Sequence, residues 1–172
     1  MASRTTTLLL TGLVVLSGLS VAAGAVIDAP PTLTVENERN TTHEVTAYTI
    51  AQSESPMQLN FAVTADDGDR RLVTLEQLYW PGEFRNVTLA DQGIPAQQVT
   101  VDPGENVTTT IDAWTPGNVT IYIAQDLGAN REHVHTRIVS CTEREQNHRI
   151  TLKDDGASGG YTCASSLDWF LP

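Results

Sequence analysis

The sequence has little positive charge, and its one lysine, Lys153, accompanies only nine arginines. Acidic residues outnumber basic residues by 21 to 10, which gives a formal charge of −11 at pH 7. Such a surface repels phosphate instead of neutralising it, so we expect no nucleic-acid partner. Binding to anionic lipid headgroups is disfavoured for the same reason.

The sequence also lacks the motifs of the common enzyme classes. It has no G-x-S-x-G nucleophile elbow, no phosphate-binding P-loop and no dinucleotide fingerprint. None of its 21 acidic residues stands in the distinctive context that a carboxylate pair for glycoside hydrolysis would need. We therefore expect a protein that is not an enzyme and that needs no cofactor.

The strongest candidates for metal ligands are His133 and His135. Two residues apart on a strand, their imidazoles would share one face, and His148 or Glu132 would be available as a third ligand. The metal-binding spacings H-E-x-x-H and C-x-x-C are both absent. We therefore favour two solvated histidines on a sheet face, and a metal site stays the alternative.

An uncharged, mostly apolar run covers residues 8–27, and Arg4 is the only charged side chain before it. As a helix, the run would just cross a hydrocarbon core of roughly 30 Å. The same run fits a secretory signal, because a small-residue motif ending at Ala25 offers a cleavage site before Val26. Residues 1–27 are therefore predicted to be a cleaved signal peptide or a retained signal-anchor helix, and both place the rest outside the cell.

Four N-x-T sequons are consistent with export, since this motif accepts N-linked glycans in exported proteins. The acceptor residues are Asn40, Asn86, Asn106 and Asn118. Asn106 and Asn118 each follow a Pro-Gly turn, which makes them the better candidates, because glycans need an exposed loop.

The two cysteines, Cys141 and Cys163, permit a single intramolecular pairing. In an oxidising compartment this disulfide would stabilise the fold by about 3 kcal/mol through loop closure. We predict that it holds a C-terminal hairpin, about residues 127–172, against the rest of the domain. The glycine-rich segment 156–160 is expected to be a flexible turn within that hairpin.

After a stiff proline-containing spacer at residues 28–32, the pattern of the chain has a period of two. Leu59, Phe61 and Val63, for example, alternate with polar residues and would share one face of a strand. Such segments recur about every 10 residues between Pro, Gly and Asp turns, which is typical of an antiparallel β-sandwich. The sequence therefore predicts an all-β fold in which residues 33–172 form a single sandwich domain.

Two Pro-Gly turns, at residues 103–104 and 116–117, separate Thr-rich strands and precede an aromatic-bearing strand at Val119–Ile123. This pattern resembles immunoglobulin-like modules of archaeal and bacterial cell-surface proteins over residues 57–125. The acidic, lysine-poor composition is similar to that of proteins from salt-loving archaea. The resemblance implies an Ig-like sandwich used in adhesion, spacing or display, with no catalytic residues.

These observations favour a non-catalytic exported domain, anchored in the membrane through residues 8–27 or secreted, with an adhesion, envelope or partner-binding role. Its partner would be a cell-surface protein or a glycan.

Most aromatic residues of a sandwich are buried in its core. Tyr79 and Trp80, however, are adjacent on a turn and cannot both point inward in an extended segment.

Two other functions stay open. The first is a subunit of a pilus-like filament, in which an apolar N-terminal helix polymerises; the segment at Arg4 lacks the processing pattern of such subunits, and residues 8–27 contain no acid. The second is a secreted metal-binding protein or enzyme that uses His133 and His135.

Overall fold

The computed structural model describes residues 29–52, 54–80, 84–128, 130–143 and 145–164. The predicted signal peptide or anchor at residues 1–27, with its cleavage candidates Ala25 and Val26, lies outside these residues. Within the described part, no helix has the length and apolarity needed to cross a membrane.

The described residues form an all-β fold, as predicted, with one short turn of α-helix, α1 (Leu75–Leu78). The strands are β1 (Thr32–Asn37), β2 (His43–Ile50), β3 (Asn60–Ala65), β4 (Arg70–Thr74), β5 (Phe84–Leu89), β6 (Ala96–Val101), β7 (Asn106–Thr110), β8 (Val119–Asp126), β9 (His133–Ser140), β10 (Glu145–Lys153) and β11 (Gly156–Ala164).

The strands are arranged in three sheets. Sheet I has the order β11-β10-β1-β7, sheet II the order β6-β2-β8-β9, and sheet III the order β4-β3-β5. All pairs are antiparallel except β1 with β10, which run parallel. The expected antiparallel sandwich is therefore extended in two ways, by a third sheet and by one parallel pair.

Sheet II lies between the other two sheets and is buried on both faces. One core, between sheets I and II, includes Leu33, Val45 and Tyr122, and the other, between sheets II and III, includes Phe61 and Ile121. Sheets I and III are covered on one face only, and β1 and β3 accordingly alternate between buried and half-buried residues. β8 instead is buried along seven consecutive residues.

A buried amide joins sheets II and III. The Gln125 side chain of β8 accepts a hydrogen bond from the Val87 N–H at 2.7 Å and donates one to the Val87 carbonyl at 3.0 Å. Both backbone groups of Val87 therefore have a partner where β5 departs from regular pairing with β3.

Local sequence signals explain the turns. The Asp-rich segment after β3 forms a hairpin turn to β4, with Gly68 at φ +88°. The single helical turn, α1, begins with a capping box formed by Thr74 and Gln77. The expectation of a flexible turn at residues 156–160 is wrong, because these glycines lie inside β11, and the hairpin turns instead at Asp154 and Asp155.

Four loops meet at one end of the molecule, here called the loop end: those joining β1 to β2, β6 to β7, β8 to β9, and β10 to β11. Backbone hydrogen bonds connect three of them: Gly104 N–H donates to the Asn37 carbonyl at 2.8 Å, and Leu127 N–H donates to the Thr42 carbonyl at 2.8 Å. β1 begins at the opposite end, where the Pro31 carbonyl accepts a hydrogen bond from Ile111 N–H.

Candidate functional site

Two aromatic side chains stand exposed beside a cavity of about 490 Å³ on the flank of sheet II. Tyr79 is 47% exposed and Trp80 is 71% exposed, and their rings meet edge to face with centroids 5.5 Å apart. We call this cavity the aromatic groove. Its principal residues are Tyr79, Trp80, His135, Arg137, Lys153 and Asp155.

The aromatic pair is held in place by the short helix that precedes it. Leu75 and Leu78 of α1 are fully buried in the core between sheets II and III. The Thr136 hydroxyl of β9 donates a hydrogen bond of 2.9 Å to the Leu78 carbonyl, and the same hydroxyl lies 2.8 Å from His133 Nε2. Because the hydroxyl donates to the carbonyl, it accepts from the imidazole N–H. This buried relay fixes α1 on β9, and Tyr79 follows directly.

A β-bulge in β9 separates the two histidines that the sequence placed together. His133 pairs with Gln125, which faces sheet III, whereas His135 pairs with Ala124, whose side chain belongs to the core against sheet I. Since opposite residues of an antiparallel pair share a face, His133 and His135 point to opposite faces of sheet II. The expectation of one shared face is wrong.

The environments of these histidines favour the neutral imidazole. Burial lowers the pKa of His133 to about 4. Burial also lowers the pKa of His135, and the neighbouring Arg137 guanidinium adds to that shift. Among the described residues, no group of three His, Cys, Asp or Glu side chains is arranged to hold a metal ion.

Three of the other residues that line the aromatic groove carry charge: Arg137, Lys153 and Asp155. Arg137 extends from β9 across the edge of β11, where its guanidinium carbon lies 6.0 Å from the centre of the Tyr161 ring. Lys153, at the tip of the β10–β11 hairpin, is 4.0 Å from the Glu38 carboxylate, and both are about half exposed. Asp155 follows on the hairpin turn. The groove therefore offers hydrogen-bond donors and acceptors next to exposed ring faces.

His148 lies in a separate buried network beneath sheet I. Its Nδ1 contacts the Tyr122 hydroxyl, and its Nε2 lies 3.0 Å from the Gln146 side-chain oxygen. Burial lowers the pKa of His148 to about 4 and raises the pKa of Tyr122 well above its usual range. These contacts join β10 of sheet I to β8 of sheet II, so His148 serves the packing of the two sheets.

The four predicted glycan acceptors differ in exposure. Asn40, in the β1–β2 loop, and Asn106, the first residue of β7, are exposed at the loop end. Asn86 is half-buried in β5 with φ +50°, and Asn118 is half-buried before β8.

The structure contains the disulfide between Cys141 and Cys163, with their Cα atoms 6.1 Å apart. Cys141 is buried directly after β9 of sheet II, whereas Cys163 is exposed on β11 at the edge of sheet I. The bond therefore joins sheet II to sheet I, and Arg137 and Tyr161 lie on the two strands, β9 and β11, that it connects.

Sequence reasoning identified the aromatic pair but not the residues opposite it. Arg137 and Lys153 lie 57 and 73 residues after Trp80 in the chain, and only the packing of the hairpin beside β9 brings them together. One feature of the sequence could have drawn attention to this set: Lys153 is the single lysine of the chain.

Solved structures give only distant similarity. The chain is 8% identical to the "membrane-binding domain of pneumolysin", with a TM-score of 0.33, covering 79% of this chain and 98% of that one. It is 6% identical to a structure titled "Trapped Toxin" (TM-score 0.32, 77% of this chain) and 8% identical to the cytotoxin suilysin from Streptococcus suis (TM-score 0.25, 78% of this chain). The chain spans 23% of the length of each of these two proteins. A comparison with curated proteins finds no match.

A family model matches this chain. The model is described as halobacterial Ig domain protein, and it matches residues 1–172. This match confirms the resemblance to haloarchaeal Ig-like modules, and such modules are extracellular surface domains that are generally non-catalytic. The chain belongs to the family of halobacterial Ig domain proteins.

Proposed function

We propose that this protein is a non-catalytic module of the cell surface that binds a saccharide of the envelope in its aromatic groove. The observation that carries this proposal is the exposure of Trp80 and Tyr79 on the wall of a concave surface. A soluble domain has no structural need for two adjacent exposed rings, and exposed apolar surface of this kind marks interaction sites.

A saccharide suits this groove better than an apolar ligand. Sugar rings present C–H groups that pack on aromatic faces and hydroxyl groups that need hydrogen-bond partners. Arg137, Lys153 and Asp155 supply both donors and acceptors beside the rings. In molar salt, where the Debye length falls to about 3 Å, ring stacking and direct hydrogen bonds persist while longer-range charge attraction is screened.

The orientation of the fold supports a role at the surface. The N-terminal apolar run, residues 8–27, precedes β1, and β1 begins at the end opposite the loop end. Lys153 and Asp155 of the groove belong to the loop end. If residues 8–27 are retained as an anchor, the groove is displayed away from the membrane; if they are cleaved, the module is secreted with the same groove.

The test is retention of the full chain on columns of immobilised mannan, dextran and polygalacturonate in molar salt. We expect retention on one of them, and a Trp80→Ala variant to bind about tenfold more weakly, the change that ~1.4 kcal/mol produces. A Leu72→Ala variant is the matched control, because Leu72 is 64% exposed on β4 of sheet III.

Two results would contradict the proposal. The first is no retention on any of the three columns. The second is equal retention of the Trp80→Ala variant and the unmodified chain, which would place the binding surface elsewhere.

A further inference from the structure

The four sequons of this chain are equal as sequence motifs but unequal in the folded structure. An N-linked glycan replaces one hydrogen of the asparagine Nδ2 and adds a bulky, solvated group. The acceptor side chain must therefore project into solvent, and its Nδ2 must not be needed by the fold. Exposure, hydrogen bonding and backbone conformation decide which of the four acceptors meet these requirements.

Asn106 and Asn40 meet them. Asn106 is exposed at the start of β7, which is one of the two edge strands of sheet I, and Asn40 is exposed in the β1–β2 loop. Among the hydrogen bonds of the described residues, neither side-chain amide has a partner. The sequon hydroxyl of Thr108 is also exposed, and its contact is the Thr34 hydroxyl at 3.1 Å on the outer face of sheet I.

Asn118 does not meet the requirement of exposure, because it is half-buried before β8. Its backbone N–H closes a turn to the Thr115 carbonyl, and its own carbonyl accepts a hydrogen bond of 3.3 Å from the Trp114 indole. The hydroxyl residue of its sequon, Thr120, is only 1% exposed because it lies inside sheet II. A glycan at Asn118 would therefore have to be accommodated beside the buried Trp114 ring.

Asn86 fails for a different reason. Its φ of +50° belongs to the left-handed region, and its backbone N–H donates to the Arg131 carbonyl at 3.0 Å. Its Nδ2, the atom that a glycan would modify, lies 3.4 Å from the Thr64 hydroxyl. The following residue, Val87, is buried, so the peptide on that side has no freedom to move outward.

From this contrast we propose that Asn40 and Asn106 carry N-linked glycans and that Asn86 and Asn118 stay unmodified. Both glycans stand at the loop end, because the loops that carry them meet at Asn37, which bonds to the backbone of Gly104 and Glu105. The inference rests on the proposed surface location, since N-linked glycans are added to exported chains. It replaces the expectation from turn signals, which favoured Asn118 over Asn40.

The experiment is glycopeptide mass spectrometry of the full chain recovered from a haloarchaeal host. The chain offers matched variants: Thr108→Ala destroys the Asn106 sequon, whereas Thr108→Ser preserves both the sequon and the hydroxyl that meets Thr34. We expect glycan mass at Asn40 and Asn106, selective loss at Asn106 in Thr108→Ala, and an unchanged pattern in Thr108→Ser. Thr42→Ala and Thr42→Ser repeat the comparison for Asn40.

Digestion of intact cells with an external protease, and assay of the medium, measure location separately. The inference is overturned if a chain found outside the cell lacks a glycan at Asn40 or at Asn106, or carries one at Asn86 or at Asn118. Either result leaves the surface role unaffected. A chain found only inside the cell overturns the surface role itself.

Discussion

Burial lowers the pKa of all four histidines of this chain, and for each one desolvation is the largest cause. His133 and His148 shift furthest, to pKa values of about 4. Each is buried with specific hydrogen-bond partners: Thr136 for His133, and Tyr122 with Gln146 for His148. The native state therefore requires neutral imidazoles at these two positions.

This requirement makes the free energy of unfolding depend on pH. An unfolded histidine has a pKa near 6.5, so between pH 6.5 and about 4 the unfolded chain binds protons that the native chain does not. The stabilisation is complete above pH 6.5 and is lost as the pH falls toward 4, with each of these two histidines contributing about 3 kcal/mol. Chemical denaturation at pH 7.0, 5.5 and 4.5, at constant salt, measures the loss.

A His148→Gln variant measures the share of this pH dependence that is due to His148. Glutamine keeps hydrogen-bonding groups at the position but does not titrate, so we expect a lower free energy of unfolding at pH 7 and a shallower decline below pH 6.5. A decline as steep as that of the unmodified chain would show that other groups, not this imidazole, carry the pH dependence.

At this scale the sequence predicts which residue types matter but not which way they point. The spacing of His133 and His135 implies a shared face only if β9 is regular, and the bulge opposite Ala124 and Gln125 reverses that outcome. A bulge depends on pairing with another strand, which local residue types do not reveal. Tyr79 and Trp80 were easier to interpret, because two adjacent rings on a turn constrain each other directly.

Among the elements, β9 and β11 are joined covalently although they belong to different sheets. The Cys141–Cys163 disulfide closes a loop with a sequence separation of 22 residues. Loop-closure entropy predicts a stabilisation of about 3 kcal/mol for a loop of this size. We expect the double variant Cys141→Ser, Cys163→Ser to lose this amount in equilibrium denaturation, and the amides of β11 to show the greatest rise in hydrogen exchange.

Reduction of the unmodified chain provides the control for that variant. If the bond acts by restricting the unfolded chain, the reduced protein and the double variant will have the same free energy of unfolding. Equal stability of the oxidised and reduced protein would show instead that the packing of β11 on β10 is sufficient.

Elements with local signals were predictable, and elements defined by long-range packing were not. The Asp-rich hairpin at Gly68 and the capped turn α1 follow from residues within a few positions of each other. The glycine-rich segment 156–160 carries the local signature of a turn, yet it pairs with β10 residue by residue as an edge strand. Its strand conformation is imposed by pairing with β10, whose burial alternates over Glu145–Ile150.

For the whole molecule, composition and spacing predicted an all-β domain but did not predict the third sheet. A two-sheet sandwich needs strands with one polar face, and most segments show that alternation. β8 is the exception, with buried residues on both faces, and β2 is buried along its last six residues. These runs indicate a central sheet covered on both sides, but a short apolar run alone does not distinguish that sheet from a tightly packed sandwich core.

Because both cores share sheet II, we expect the described fold to unfold as one cooperative unit. Phe61 of β3 is fully buried in the core between sheets II and III, where its ring meets Tyr48 of β2 with centroids 5.9 Å apart. A Phe61→Ala substitution should lower the free energy of unfolding by about 3–5 kcal/mol. The slowest-exchanging amides of β3 report on sheet III, and those of β10 report on sheet I. In the Phe61→Ala variant, both sets should lose the same amount of hydrogen-exchange protection.

The matched control is Leu72→Ala, an exposed position on sheet III. This variant should change the free energy of hydrogen-exchange protection by no more than about 0.5 kcal/mol in either β3 or β10. Loss of protection in β3 alone would show that sheet III opens independently while sheets I and II stay folded. Equal loss in β3 and β10 requires that sheet II transmit the defect, since β3 and β10 pack against its opposite faces and belong to separate cores. The double burial of β2 and β8 would then be what makes three sheets a single folding unit.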